Sequence, residues 1–214
     1  MFSGTMREDG SDFDDEITDA LVGGSAYERL RVERRSVFGG SIPTKLVAQS
    51  ALLVVLACCL PIVAAFPTRV RVLFPAGDPT TASPQIMLLG VLALVLLFGT
   101  GAMLVCLEYL RFRFEPGLSE GQIRALLNCE DVASLFGLGT GGAAVFATDG
   151  FVLMGLGGIE VVRTYTQQAP RSAFTDSGTG ISVVAVAATA LCGAVVLYTA
   201  SQYLSLVGDL RSGR

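Results

Sequence analysis

Residues 46–66 and 86–107 run without a single charged side chain. About 20 apolar residues in a helix cross the roughly 30 Å hydrocarbon core of a bilayer, and each run reaches that length. A third such run covers 181–206, and between 132 and 162 the only charges are Asp149 and Glu160. A water-soluble core of one 214-residue domain has no room for so much uncharged chain. Charged residues make up only 16% of the sequence, against about 25% in soluble proteins, so the deficit is general. The sequence therefore predicts an all-α membrane protein, an antiparallel bundle of about four transmembrane helices with a disordered acidic N-terminal tail.

The expected organisation has three parts. Residues 1–45 form a cytoplasmic tail, disordered at first and then a short basic juxtamembrane helix. Nine of the nineteen acidic residues lie between Glu8 and Glu33, and so polar a segment buries too little to offset its ordering entropy. The basic helix carries Arg29, Arg31, Arg34 and Arg35, a membrane-surface cluster in which each arginine is worth about 1 kcal/mol near anionic lipid. Residues 46–206 form the transmembrane domain, with spans near 46–66, 86–110, 140–162 and 181–206, and residues 207–214 form a cytoplasmic C-terminal tail. Pro61 interrupts the first span, a fault membrane helices tolerate.

The connectors follow from punctuation. Prolines at 67, 75, 79 and 84 predict an extended or β-like loop, and 163–180 reads as a polar loop. From Ser119 to Asp131 an apolar stripe of Ile123, Leu126 and Leu127 predicts an amphipathic helix capped by Ser119. Glu108 has Arg111 one turn on, the spacing of a local ion pair.

Charge sets the orientation. With four spans, eleven arginines and lysines fall on the side of the termini and four (Arg69, Arg71, Arg163 and Arg171) on the other. The positive-inside rule then places both termini in the cytoplasm of a cell-membrane protein. A net charge of −4 argues against a nucleic-acid partner. The excess of arginine over lysine, fourteen to one, and the acidic tail point to a high-GC, salt-adapted source.

Chemistry is sparsely signalled. The chain has no histidine, which removes the commonest zinc ligand and general base. Four of the five cysteines lie in apolar runs, where cysteine acts as a small hydrophobe, so no metal site, disulfide framework or cofactor is implied. Gly137-Leu138-Gly139-Thr140-Gly141-Gly142 fits the G-x-G-x-x-G nucleotide pattern, but the chain has no sequence left for the βαβ unit that pattern requires. Gly137 and Gly141 read instead as helix-packing positions, together with a small-residue ladder at Ala185, Thr189 and Gly193. Intramembrane carboxylates are expensive and mark functional sites, which singles out Asp149 and Glu160. Eleven residues apart, they share a face if their helix is continuous.

The resulting expectation is a non-enzymatic membrane protein, a small accessory or scaffold subunit acting through helix–helix contacts. Its partners are the lipid bilayer and a larger membrane protein or further copies of itself. The alternative is a small transporter or channel subunit using Asp149 and Glu160.

Overall fold

The structure is a computed structural model and describes residues 40–74, 78–114, 117, 119–169 and 173–212. The acidic tail and the cluster of Arg29, Arg31, Arg34 and Arg35 lie outside the described residues. Within them the protein is all-α, with four helices long and apolar enough to cross a membrane.

The first span is α1 (Ile42–Ala57) followed by α2 (Cys59–Ala64). Ser41 caps α1, its Oγ accepting from Thr44 N. Pro61 has no N–H to give the Ala57 carbonyl, and the helix breaks one residue later, at Cys58. A short helix, α3 (Thr68–Arg71), leads to α4 (Ile86–Phe114), the second span. Its 29 residues extend about 43 Å, more than the hydrocarbon core needs.

The third span is the longest. Helix α5 (Glu120–Ser134) opens with a capping box in which Gln122 N bonds Ser119 Oγ and Ser119 N bonds Gln122 Oε1. It passes without interruption into a π-helical segment, Leu135–Gly141, then into α6 (Gly142–Met154) and a 3₁₀ turn, Gly155–Gly157. The apolar helix therefore runs from Glu120 to Gly157; of the residues expected to span near 140–162, 140–157 form its far part and 159–162 belong to the next helix. Gly158, at φ 87°, reverses the backbone, and a separate helix, α7 (Ile159–Gln168), follows where a loop was expected from residue 163. Helix α8 (Val183–Ser212) is the fourth span.

α8 packs mainly along α1, and α4 packs on the π segment and α6. The core holds Leu46, Leu53, Leu56, Leu97, Leu104, Val145 and Leu197. At the end of the bundle away from the termini, the two long connections are stitched together. Pro84 and Asp176 form an antiparallel bridge, with Gln85 N bonding Thr175 O and Ser177 N bonding Ser83 O. A run of rings (Phe66, Phe74, Phe174, Tyr165 and Phe151) seals this end, with neighbouring centroids 5.7–6.3 Å apart. Aromatic side chains suit the water–lipid boundary.

Asp78 organises the first of these connections. Its Oδ1 accepts from Thr80 Oγ1 at 2.7 Å and from Thr80 N at 3.0 Å, and its Oδ2 accepts from Thr81 Oγ1 at 3.3 Å. The Thr80 hydroxyl and amide together hold this exposed carboxyl below the usual carboxylate range. A depressed carboxylate stabilises its turn above the unfolded pKa and loses that contribution as pH falls through the lowered one. Thr80→Ala should raise the Asp78 titration midpoint in carboxyl-resolved NMR. Equal midpoints in variant and parent would refute this.

Candidate functional site: polar groups inside the bundle

Among the described residues the interior polar side chains fall into three levels along the membrane normal. The level nearest the termini is ionic. Lys45, at the start of α1, places Nζ 2.7 Å from Glu130 Oε1 of α5, and both side chains are under 5% exposed. Glu130 reaches the bundle because it continues the buried stripe of Ile123 and Leu127, seven residues beyond the first of them. Ser134, one turn on, donates its hydroxyl to the Glu130 carbonyl. Ser201 of α8 ties the same end by donating to the Pro43 carbonyl at 2.9 Å. At the end of α4, Glu108 and Arg111 form the ion pair that their spacing predicts, Nη1 to Oε1 at 3.4 Å.

The middle level is neutral. Gln49, one turn beyond Lys45, donates from Nε2 to Thr100 Oγ1 at 3.0 Å, and Thr100 turns its own hydroxyl to the Leu96 carbonyl. Gln49 is fully buried, and its Oε1 has no hydrogen-bond partner. Gly137 of the π segment lies directly over this pair: a Cβ there would collide with both Gln49 Nε2 and Thr100 Oγ1. On the opposite side, a Cβ on Gly101 would stand 2.9 Å from Gln49 Oε1 and 2.7 Å from Leu197. The amide is thus clamped between two glycines.

The far level holds Thr148, bonded back to the Ala144 carbonyl, and Asp149. Asp149 is 7% exposed and its Oδ1 has no partner. Its helix, α6, packs on α2. Between the middle and far levels stand Leu53, Leu56, Leu97 and Val145, each with no exposed surface.

The two carboxylates expected to act together are not brought together. The condition for a shared face, a continuous helix, fails at Gly158. Glu160 sits in the first turn of α7 with its side chain 85% exposed, 4.0 Å from Arg163. Asp149 stays inside.

The glycine and ladder positions divide as well. Gly141 approaches Leu97, and Gly193 approaches Leu53, each Cβ position 3.2 Å from the neighbour. Ala185 and Thr189 are exposed. They line a groove between α4 and α8.

Sequence reasoning missed the Lys45–Glu130 pair, placing residue 45 at the end of the cytoplasmic tail. The available clue was Glu130 itself, which falls on the apolar stripe of an otherwise amphipathic helix.

No group of three or more His, Cys, Asp or Glu side chains among the described residues is arranged to hold a metal ion. The described cysteines are all free thiols. Comparison with family models, curated proteins and solved structures finds no match to this chain.

Proposed function

We propose that this multi-pass membrane protein is a small non-enzymatic accessory or scaffold subunit, acting through contacts between its helices and those of a larger membrane protein. The layer of Leu53, Leu56, Leu97 and Val145 carries this reading. It is fully buried and apolar, and it separates the charged and amide levels from Asp149. An ion crossing one bundle would have to be stripped of water in that layer with no polar group to replace its shell. The charges nearer the termini are turned on each other, Lys45 to Glu130 and Glu108 to Arg111, which suits a rigid body. The charge asymmetry supports a cytoplasmic location for both termini.

One observation favours a second reading, a transporter or channel subunit: the partnerless buried oxygen of Asp149. Glu160 does not add to it, because its side chain is 85% exposed and lies on a separate helix from Asp149. Because the apolar layer closes the single bundle, a path using Asp149 would have to run between copies.

Two experiments separate the readings. Native gel electrophoresis of gently solubilised source membranes should find the chain in a complex much larger than its 22.4 kDa. In vesicles containing the purified chain, proton and sodium flux should equal that of empty vesicles, with Asp149→Asn indistinguishable from the parent. Migration only as free monomer sinks the accessory reading. Flux that disappears in Asp149→Asn establishes the second.

A further inference from the structure

A groove between α4 and α8 encloses about 640 Å³. Leu53 of α1 and Gly193 form its floor, with Val95 and Phe98 on one wall and Thr189 and Val196 on the other. No charged residue lines it. The Thr189 hydroxyl is already spent, donating to the Ala185 carbonyl at 2.8 Å. An occupant therefore meets no unmet hydrogen bond and must be apolar along its whole length.

Depth narrows the choice. On α4 the lining runs from Val91 to Gly99, about 12 Å of helix, and on α8 from Ala185 to Val196, about 16 Å, with Ile181 just before α8 extending it toward the far surface. Half of a 30 Å hydrocarbon core is about 15 Å. The groove thus occupies one leaflet, the one away from the termini, and ends near mid-membrane. A partner's transmembrane helix traverses both leaflets, whereas a lipid tail belongs to one. The groove is also continuous with the bilayer-facing surface, since Val95 and Val196 on its rim are 64% and 53% exposed. Its volume lies within the roughly 300–1,000 Å³ of sites that hold one small ligand.

We propose that this groove is a binding site for one acyl chain of a lipid in the leaflet away from the termini. Recognition is of the tail, because no charge stands along the groove to select a headgroup. The site does not depend on the accessory role proposed above.

The test uses the full chain in phosphatidylcholine vesicles doped with a phosphatidylcholine bearing a diazirine on one acyl chain. After irradiation, peptide mapping should place adducts chiefly on 91–99 and 185–196. Gly99→Phe should cut that labelling several-fold: Gly99 has open space where a Cβ would stand, so the ring enters the groove rather than the core. Ala185→Leu, on the exposed opposite wall, should act likewise, so that the result does not hang on one variant's folding. Exchanging the probe's headgroup for phosphatidylglycerol should change nothing. Even labelling around the bundle, or labelling indifferent to both substitutions, would reduce the groove to ordinary bilayer contact. Efficient Cys192–Cys192 cross-linking between chains, with loss of lipid adducts, would assign the groove to a second copy and overturn the proposal.

Discussion

Replacing Lys45 with methionine should destabilise the bundle by about 3–5 kcal/mol, the range for removing one member of a buried ion pair. The substitution keeps an unbranched side chain one atom shorter and deletes the cation that Glu130 faces at 2.7 Å. Both side chains are almost wholly withdrawn from solvent, so water does not replace the lost interaction. The pair joins α1 to α5 across 85 residues, and its loss loosens the first span from the third at the end that carries the termini.

The double variant Lys45→Met with Glu130→Leu should recover most of that loss. Two apolar side chains restore packing and remove both desolvation costs, and such exchanges are often neutral or better. Arg124→Gln is the contrast. Its pair with Glu120 is 4.0 Å long and more than half exposed at each end, so a change within about 1 kcal/mol is expected. Unfolding midpoints in one detergent would rank the three. If Lys45→Met proves no worse than Arg124→Gln, the pair is not holding the bundle. If the double variant is as damaged as the single, the ionic interaction itself is required.

The features that the sequence disclosed are those set by neighbouring residues. Uncharged runs of membrane length identify spans, a three-residue interval identifies Glu108–Arg111, and Ser119 announces the cap of α5. Features that depend on how helices are rotated against one another stayed hidden. Lys45 and Glu130 meet only because α1 and α5 turn those faces inward at a common depth. The ladder at Ala185, Thr189 and Gly193 divides between inside and outside for the same reason. At 100° per residue, eight residues turn a helix by about 80° beyond two full turns, so Gly193 points into the bundle while Ala185 points out. The coupling of Asp149 to Glu160 failed on backbone rather than rotation. The helix stops at Gly158, whose positive φ no pattern of neighbouring residues announces. Glycines at 137, 139 and 141 were ambiguous, and nothing local distinguishes a π segment from an α-helix there.

Gly137 tests that segment most directly. A methyl group at this position would meet Gln49 Nε2 and Thr100 Oγ1 at less than contact distance. Gln49 is fully buried, and the Gly101 backbone crowds its Oε1, which limits how far the amide can retreat. Gly137→Ala should therefore cost about 1–3 kcal/mol in overpacking. It should cost about 1 kcal/mol more if the Gln49–Thr100 hydrogen bond breaks. Gly150→Ala, in the same span, should have the opposite sign. Nothing lies within 4 Å of a Cβ there, and exchanging a mid-helix glycine for alanine is worth up to about 1 kcal/mol. Shortening the obstructing side chain supplies the decisive comparison. In a Gln49→Ala background one of the two obstructing groups is gone and only Thr100 remains, so the penalty of the alanine at 137 should fall, and the two changes together should harm less than their sum. Additive losses would mean that Gly137 and Gln49 do not touch. A Gly137→Ala protein as stable as Gly150→Ala would mean that the π segment does not bring the backbone against Gln49 and Thr100 at all.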